Sequence, residues 1–115
     1  MHELGIVFYI IRDVKKAAEE NKVNHISAVV INIGEVSTIV QHMLTDCWQW
    51  AADKEELLKG AELKIKTIPA VTHCDGCGKE YPTVAHGKIC PHCGSEDTWL
   101  AQGREVEIKE IEVEN

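Results

Sequence analysis

Two Cys-x2-Cys pairs constrain this chain more than any other feature. Cys74-Asp75-Gly76-Cys77 and Cys90-Pro91-His92-Cys93 are separated by twelve residues. Each pair makes a tight turn that brings two thiolates together, and two such pairs complete a tetrahedron around one ion. Gly78 and Gly94 follow the second cysteine of each pair. A residue without Cβ there lets the backbone turn so that amide donors approach the sulfurs. Four protein thiolates leave no open coordination position, so a structural rather than hydrolytic role is expected. Zinc is the default occupant, while iron in a rubredoxin-like setting uses the same ligands and stays open at this level. The cysteine segment has almost no apolar core of its own, so metal binding must supply much of its folding free energy, on the order of 10 kcal/mol.

The compartment follows from the rest of the composition. The apolar opening from Leu4 to Ile11 has no basic segment before it and no small-residue cleavage site after it. Arg12, Asp13, Lys15 and Lys16 end it far short of the ~20 residues that span a bilayer. A cytoplasmic protein without a membrane partner is expected, and there cysteines serve as metal ligands more often than as disulfides. The fifth cysteine, Cys47, sits on an apolar helical stripe and reads as a small buried hydrophobe. Nineteen acidic against twelve basic residues give a formal charge of -7. Such a surface repels phosphate backbones and favours cations or basic protein partners, which argues against nucleic acid. No serine–histidine–acid or paired-carboxylate arrangement stands out, so an enzyme is not expected.

Hydrophobic spacing gives an α+β chain. Leu4, Val7, Ile11, Val14 and Ala18 recur three and four apart and make one stripe of a helix that ends at Asn21-Lys22-Val23-Asn24. Ile26–Val36 is rich in β-branched residues and reads as a central strand, apolar on both faces over part of its length and ending near Gly34-Glu35. Ser37 or Thr38 is the expected cap of a second helix. Its inner face is Val40, Met43 or Leu44, Cys47, Trp48 and Ala51, and it could run on through Leu57 and Leu58 to Gly60 unless Asp53 and Lys54 interrupt it. Gly60–Ile68 and Gly103–Ile111 then echo each other in alternating polar and apolar residues. The simplest arrangement pairs these two as neighbours in one sheet, with the cysteine region inserted between them. The boundaries that follow are 1–69 and 102–115 for the main domain and 70–101 for the metal module. A strand–insert–strand layout also permits exchange of elements between copies, and hence a homo-oligomer.

The first three residues are a second candidate site. Because His2 is bulky, the initiator methionine is expected to remain, leaving a free amine one residue before an imidazole. The Met1 amine, the His2 amide nitrogen and the His2 ring nitrogen can close adjacent chelate rings. The Glu3 amide or another nearby donor then takes the fourth corner. A nitrogen-rich, nearly planar array of this kind suits Ni(II) or Cu(II) and is poor for zinc. From the residues alone, an ordinary exposed histidine beside a helix cap is the competing reading.

The whole pattern resembles the HypA/HybF family of hydrogenase maturation factors. The resemblance rests on Met1-His2-Glu3-Leu4, Ile33-Gly34-Glu35, Gly60-Ala61-Glu62-Leu63, Pro69, both cysteine pairs with Cys93-Gly94-Ser95, and Gly103-Arg104-Glu105-Val106-Glu107-Ile108. It implies two helices packed on a small three-stranded sheet, with an inserted zinc-ribbon-like four-cysteine module on an extended arm. It also implies Ni(II) as transferred cargo at Met1, His2 and Glu3, and structural Zn(II) on Cys74, Cys77, Cys90 and Cys93. The implied partners are a nickel-binding maturation GTPase, with Glu3 at its interface or near the metal, and the large subunit of a [NiFe]-hydrogenase; some relatives feed urease. The roles of His73, His86 and His92 vary among relatives and stay open. A zinc-ribbon adaptor for protein or nucleic acid is the alternative that the cysteines alone would allow.

Overall fold

The computed structural model describes residues Glu3 to Glu114. Its elements run α1 (Glu3–Glu20), β1 (His25–Gly34), α2 (Gln41–Ala52), a 3-10 turn (Glu56–Leu58), β2 (Glu62–Ile68), β3 (Val71–Cys74), β4 (Glu80–Pro82), α3 (Thr83–His86), β5 (Thr98–Gln102) and β6 (Val106–Glu114). Two compact units result. The first gathers the chain up to Ile31, Thr38–Lys66 and the residues from Glu107 on; the second gathers Asn32–Ser37 and Thr67–Val106.

In the first unit, α1 buries Ile6, Val7, Ile10, Ile11, Val14 and Ala18, a stripe at helical spacing, while Leu4 stays partly exposed. The helix ends without a glycine. Lys22 takes a left-handed conformation at φ 54°, which lets the Val23 amide reach back to the Ala18 carbonyl at 2.9 Å. That six-to-one bond satisfies a carbonyl the helix leaves orphaned. β1 buries Ile26, Val29 and Ile31 completely, as a strand apolar on both faces should.

Strand order corrects one expectation. The two alternating segments are not neighbours: the order is β2-β1-β6, with β1 between them. The physical reason lies in their patterns, since β1 is the strand with no wet face, whereas β2 and β6 each keep one. On that wet face the Lys64 ammonium reaches the Glu112 carboxylate at 3.0 Å, from one flanking strand to the other. β6 runs opposite to β1: Ser27 Oγ donates to the Glu112 carbonyl, and further along the Gly34 amide donates to Glu105. β2 runs with β1, because His25 meets the Lys59 carbonyl and the Glu35 amide donates to Ile68. A parallel pair needs a long crossover, and α2 provides it.

α2 differs from expectation at both ends. Its N-cap is Val40, without any side-chain cap bond of its own, rather than Ser37 or Thr38. The Ser37 amide instead closes a turn onto Gly34. Only Leu44, Trp48, Ala51 and Ala52 are buried, whereas Val40 and Met43 are exposed. The helix stops at Ala52, and Leu58 reaches the core from the separate 3-10 turn. Trp48 is fully buried, its indole N–H donating to the Ala61 carbonyl at 2.9 Å.

The fold is therefore mixed α/β, and the expectation of a single three-stranded sheet with two helices is corrected. The second unit holds its own three-stranded antiparallel sheet, in the order β4-β3-β5, and the one-turn helix α3. Thr72 sits opposite Tyr81 on one side and Leu100 on the other. These strands are three to five residues long, too short for their alternation to register in the sequence.

Candidate metal centre

The second unit brings the four paired cysteines to one point. Cys74 ends β3, Cys77 closes the turn after it, and Cys90 and Cys93 flank a second turn of the same form. In each turn the amide of the following glycine folds back onto the first cysteine: Gly78 donates to the Cys74 carbonyl and Gly94 to the Cys90 carbonyl, both at 2.8 Å. Gly78 and Gly94 lie at φ +77° and +76°, a region that L side chains rarely adopt. The two turns are thus near copies at the level of backbone geometry.

All four sulfurs lie within 4.8 Å of one another. Cys74 and Cys93 Sγ are 3.6 Å apart, and Cys77 and Cys90 Sγ are 3.7 Å apart. The edge of a regular tetrahedron is about 1.63 times its centre-to-corner distance, so those two edges imply a metal–sulfur distance of about 2.2–2.3 Å. Zinc–thiolate bonds are about 2.3 Å long. The donor set therefore fits a tetrahedral thiolate metal such as zinc. Cys74 and Cys90 are buried, and Cys77 and Cys93 are exposed.

The electrostatics of the bare sulfurs point the same way. Burial raises the Cys90 thiol, but the amides of His92 and Cys93 together with the Cys77 and Cys74 thiols outweigh it and bring it down to about 7. The His92 amide lies 3.4 Å from that sulfur. At Cys93 the Ser95 amide favours the thiolate, yet the Cys74 sulfur, desolvation and the other two sulfurs push it up to about 12. Four negative sulfurs cannot share so small a volume at neutral pH unless a cation holds them.

Neighbouring residues brace the turns. The Cys74 amide donates to Lys79, Asp75 to Asp97 and Cys90 to Ser95. Tyr81 is buried against Cys74 and Cys90, its hydroxyl donating to the Gly87 carbonyl at 2.8 Å. His73 packs on the Trp99 ring at 5.2 Å, and the Trp99 indole donates to Asp75. His86 meets Tyr81 edge-on. Tyr81 and Ser95 were not among the residues expected at the site. Tyr81 is the one tyrosine, tryptophan or phenylalanine between the two cysteine pairs, which was a usable signal; the Ser95 role depends on backbone geometry and left none.

The predicted N-terminal residues are reached only in part. Met1 and His2 lie outside the described residues. Glu3 opens α1 and is buried, with its Oε1 accepting a bond from the Val40 amide at 3.3 Å. Among the described residues the four cysteines are the one cluster of three or more metal-type ligands. Cys47 is partly buried and stands apart from them. No helix among the described residues is long and apolar enough to cross a membrane.

Four thiols gathered at tetrahedral spacing on a small antiparallel sheet, in a chain that also forms a two-helix α/β unit, fit a metal-binding protein. Comparison with known proteins is more specific. The sequence model of the family described as "Hydrogenase/urease nickel incorporation, metallochaperone, hypA" matches residues 1–113. The chain is 39% identical over 114 residues to the hydrogenase maturation factor HypA of Nostoc sp., covering 99% of this chain and 96% of that one. It is 34% identical to the HypA of Geobacter metallireducens, covering 99% and 100%. The solution structure of the Ni metallochaperone HypA from Helicobacter pylori superposes with a TM-score of 0.75 at 24% identity, covering 98% of this chain and 97% of that one. The chain belongs to the HypA family of metallochaperones.

Proposed function

We propose that this protein is a non-catalytic nickel carrier, which binds Ni(II) at its own N-terminus and passes it on during maturation of a [NiFe]-hydrogenase or a urease. The Met1 amine, the His2 amide and ring nitrogens and the Glu3 amide form the donor set for the cargo. Zn(II) is held by Cys74, Cys77, Cys90 and Cys93. The zinc domain spans 70–101 and is flanked by 1–69 and 102–115. A cytoplasmic nickel-binding GTPase and the hydrogenase large subunit are the partners. The observation that carries this reading is a nickel-incorporation family match that starts at residue 1, on a chain whose second residue is an imidazole.

The chemistry of the two donor sets separates their tasks. Four thiolates saturate their metal and hold it permanently. An amine, amides and one imidazole form a site open to competition from protons and from a docking partner. Histidine protonates near pH 6.5, so mild acid expels nickel before it reaches the thiolates. Copper would bind the same nitrogens more tightly, so selectivity comes from metal supply and the partner as well.

Titration of Ni(II) into protein with an authentic N-terminus tests this. His2→Ala should abolish nickel binding while zinc content and fold are kept, and one extra residue before Met1 should weaken binding markedly. Unchanged nickel affinity in His2→Ala would overturn the assignment.

A further inference from the structure

The N-terminal end of α2 lacks the groups that usually close such an end. Val40 stands at the N-cap and has no side-chain acceptor, and the third helical residue is Met43, where a glutamate commonly reaches back to the N-cap amide. The Val40 amide is nevertheless satisfied. Its acceptor is the Glu3 carboxylate, 37 positions earlier, at 3.3 Å. Glu3 is itself buried at the first turn of α1, and α1 packs along α2. One carboxylate therefore closes α2 from another helix and fixes the start of α1 in doing so. A negative group at a helix N-terminus is favoured by the helix dipole as well.

We propose that Glu3 is a positioning residue for the nickel site: its carboxylate caps α2 in trans and is not itself a donor to the metal. This rests on the N-terminal nickel reading above. Glu3 directly follows the two residues proposed to hold Ni(II), so the bond to Val40 anchors the chain one residue from the donors. Fixing donors before the ion arrives raises affinity by lowering the entropic cost of closing the chelate.

Three variants with an authentic N-terminus separate this role from ligation and from plain stability. Glu3→Gln keeps a carbonyl oxygen facing Val40 and removes the charge. It should bind nickel within about threefold of the unaltered chain, with the same nickel absorption spectrum. A shifted spectrum would show the carboxylate in the coordination shell and overturn the proposal. Glu3→Ala should speed hydrogen exchange of the Val40 amide in nickel-free protein by roughly tenfold, and weaken nickel binding by roughly tenfold without moving the spectrum. Unchanged exchange or unchanged affinity would overturn it. Val40→Thr added to Glu3→Ala supplies a local cap, so it should restore the melting temperature but not the nickel affinity. Recovery of both would show that Glu3 acts only through helix stability. If His2→Ala leaves nickel binding intact, the N-terminal reading itself fails, and the Val40 exchange result still decides whether Glu3 caps α2.

Discussion

Removing the metal from the thiolate centre should unfold the second unit and spare the first. Apart from the thiols, the buried apolar side chains among the described residues of the second unit are Ile33, Ala70 and Tyr81. A fully buried side chain of the size of Ile33 or Tyr81 contributes about 1.5–3 kcal/mol, so the pair supplies about 3–6 kcal/mol. A structural zinc contributes on the order of 10 kcal/mol or more. The metal thus outweighs the apolar core here, and small domains have only about 5–15 kcal/mol of net stability to lose. The first unit draws on another source: Val7, Ile10, Val14, Ile26, Ile31, Leu44, Trp48 and Leu58 are all within 1% of full burial. Hydrogen exchange followed by peptide, with and without a strong chelator, resolves the two. The amides of Cys74, Asp75, Gly78, Cys90 and Gly94, all hydrogen-bonded in the metal centre, should lose essentially all protection. Peptides from α1 and from β1 up to Ile31 should keep theirs. Protection at the cysteine turns that survives complete zinc removal would refute the reasoning, since no other interaction there is large enough.

Two further outcomes follow from particular contacts. A Cβ on Gly34 would collide with the Gly103 carbonyl and the Arg104 amide, backbone groups that cannot step aside. Gly34→Ala should therefore cost at least about 3 kcal/mol in denaturant unfolding, against under about 0.5 kcal/mol for a typical surface change. Glu105 accepts bonds from the Gly103 and Arg104 amides, which hold its carboxyl below the usual carboxylate range. A carboxyl depressed in this way stabilises the fold above its unfolded pKa of about 4.3 and loses that contribution as pH falls through its lower folded value. Glu105→Gln should accordingly shallow the fall in stability with acid below about pH 4.3, read from thermal melts across that range.

What could be foreseen from the residues was whatever local chemistry decides alone. The α1 stripe through Val7, Ile11, Val14 and Ala18 was legible because helical period and burial agree there. The convergence of Cys74, Cys77, Cys90 and Cys93 was legible because their spacing admits few other geometries. The neighbour relations of the strands were not, since alternation in Gly60–Ile68 and Gly103–Ile111 says which face is wet but not which strand lies alongside. The cap of α2 was hidden for a related reason. Ser37 and Thr38 have the right chemistry, but the acceptor comes from Glu3, and a bond across 37 positions leaves no local signature. The sheet of the second unit went unseen because strands such as Glu80–Pro82 are shorter than any detectable period.

X-ray absorption at the nickel and zinc edges of one doubly loaded sample, carrying an authentic N-terminus, tests the central claim most directly. The account predicts nitrogen and oxygen neighbours only around nickel, lost in His2→Ala. Around zinc it predicts four sulfurs at about 2.3 Å that persist in the same variant. Sulfur in the nickel shell, or a nickel signal indifferent to His2, would contradict it.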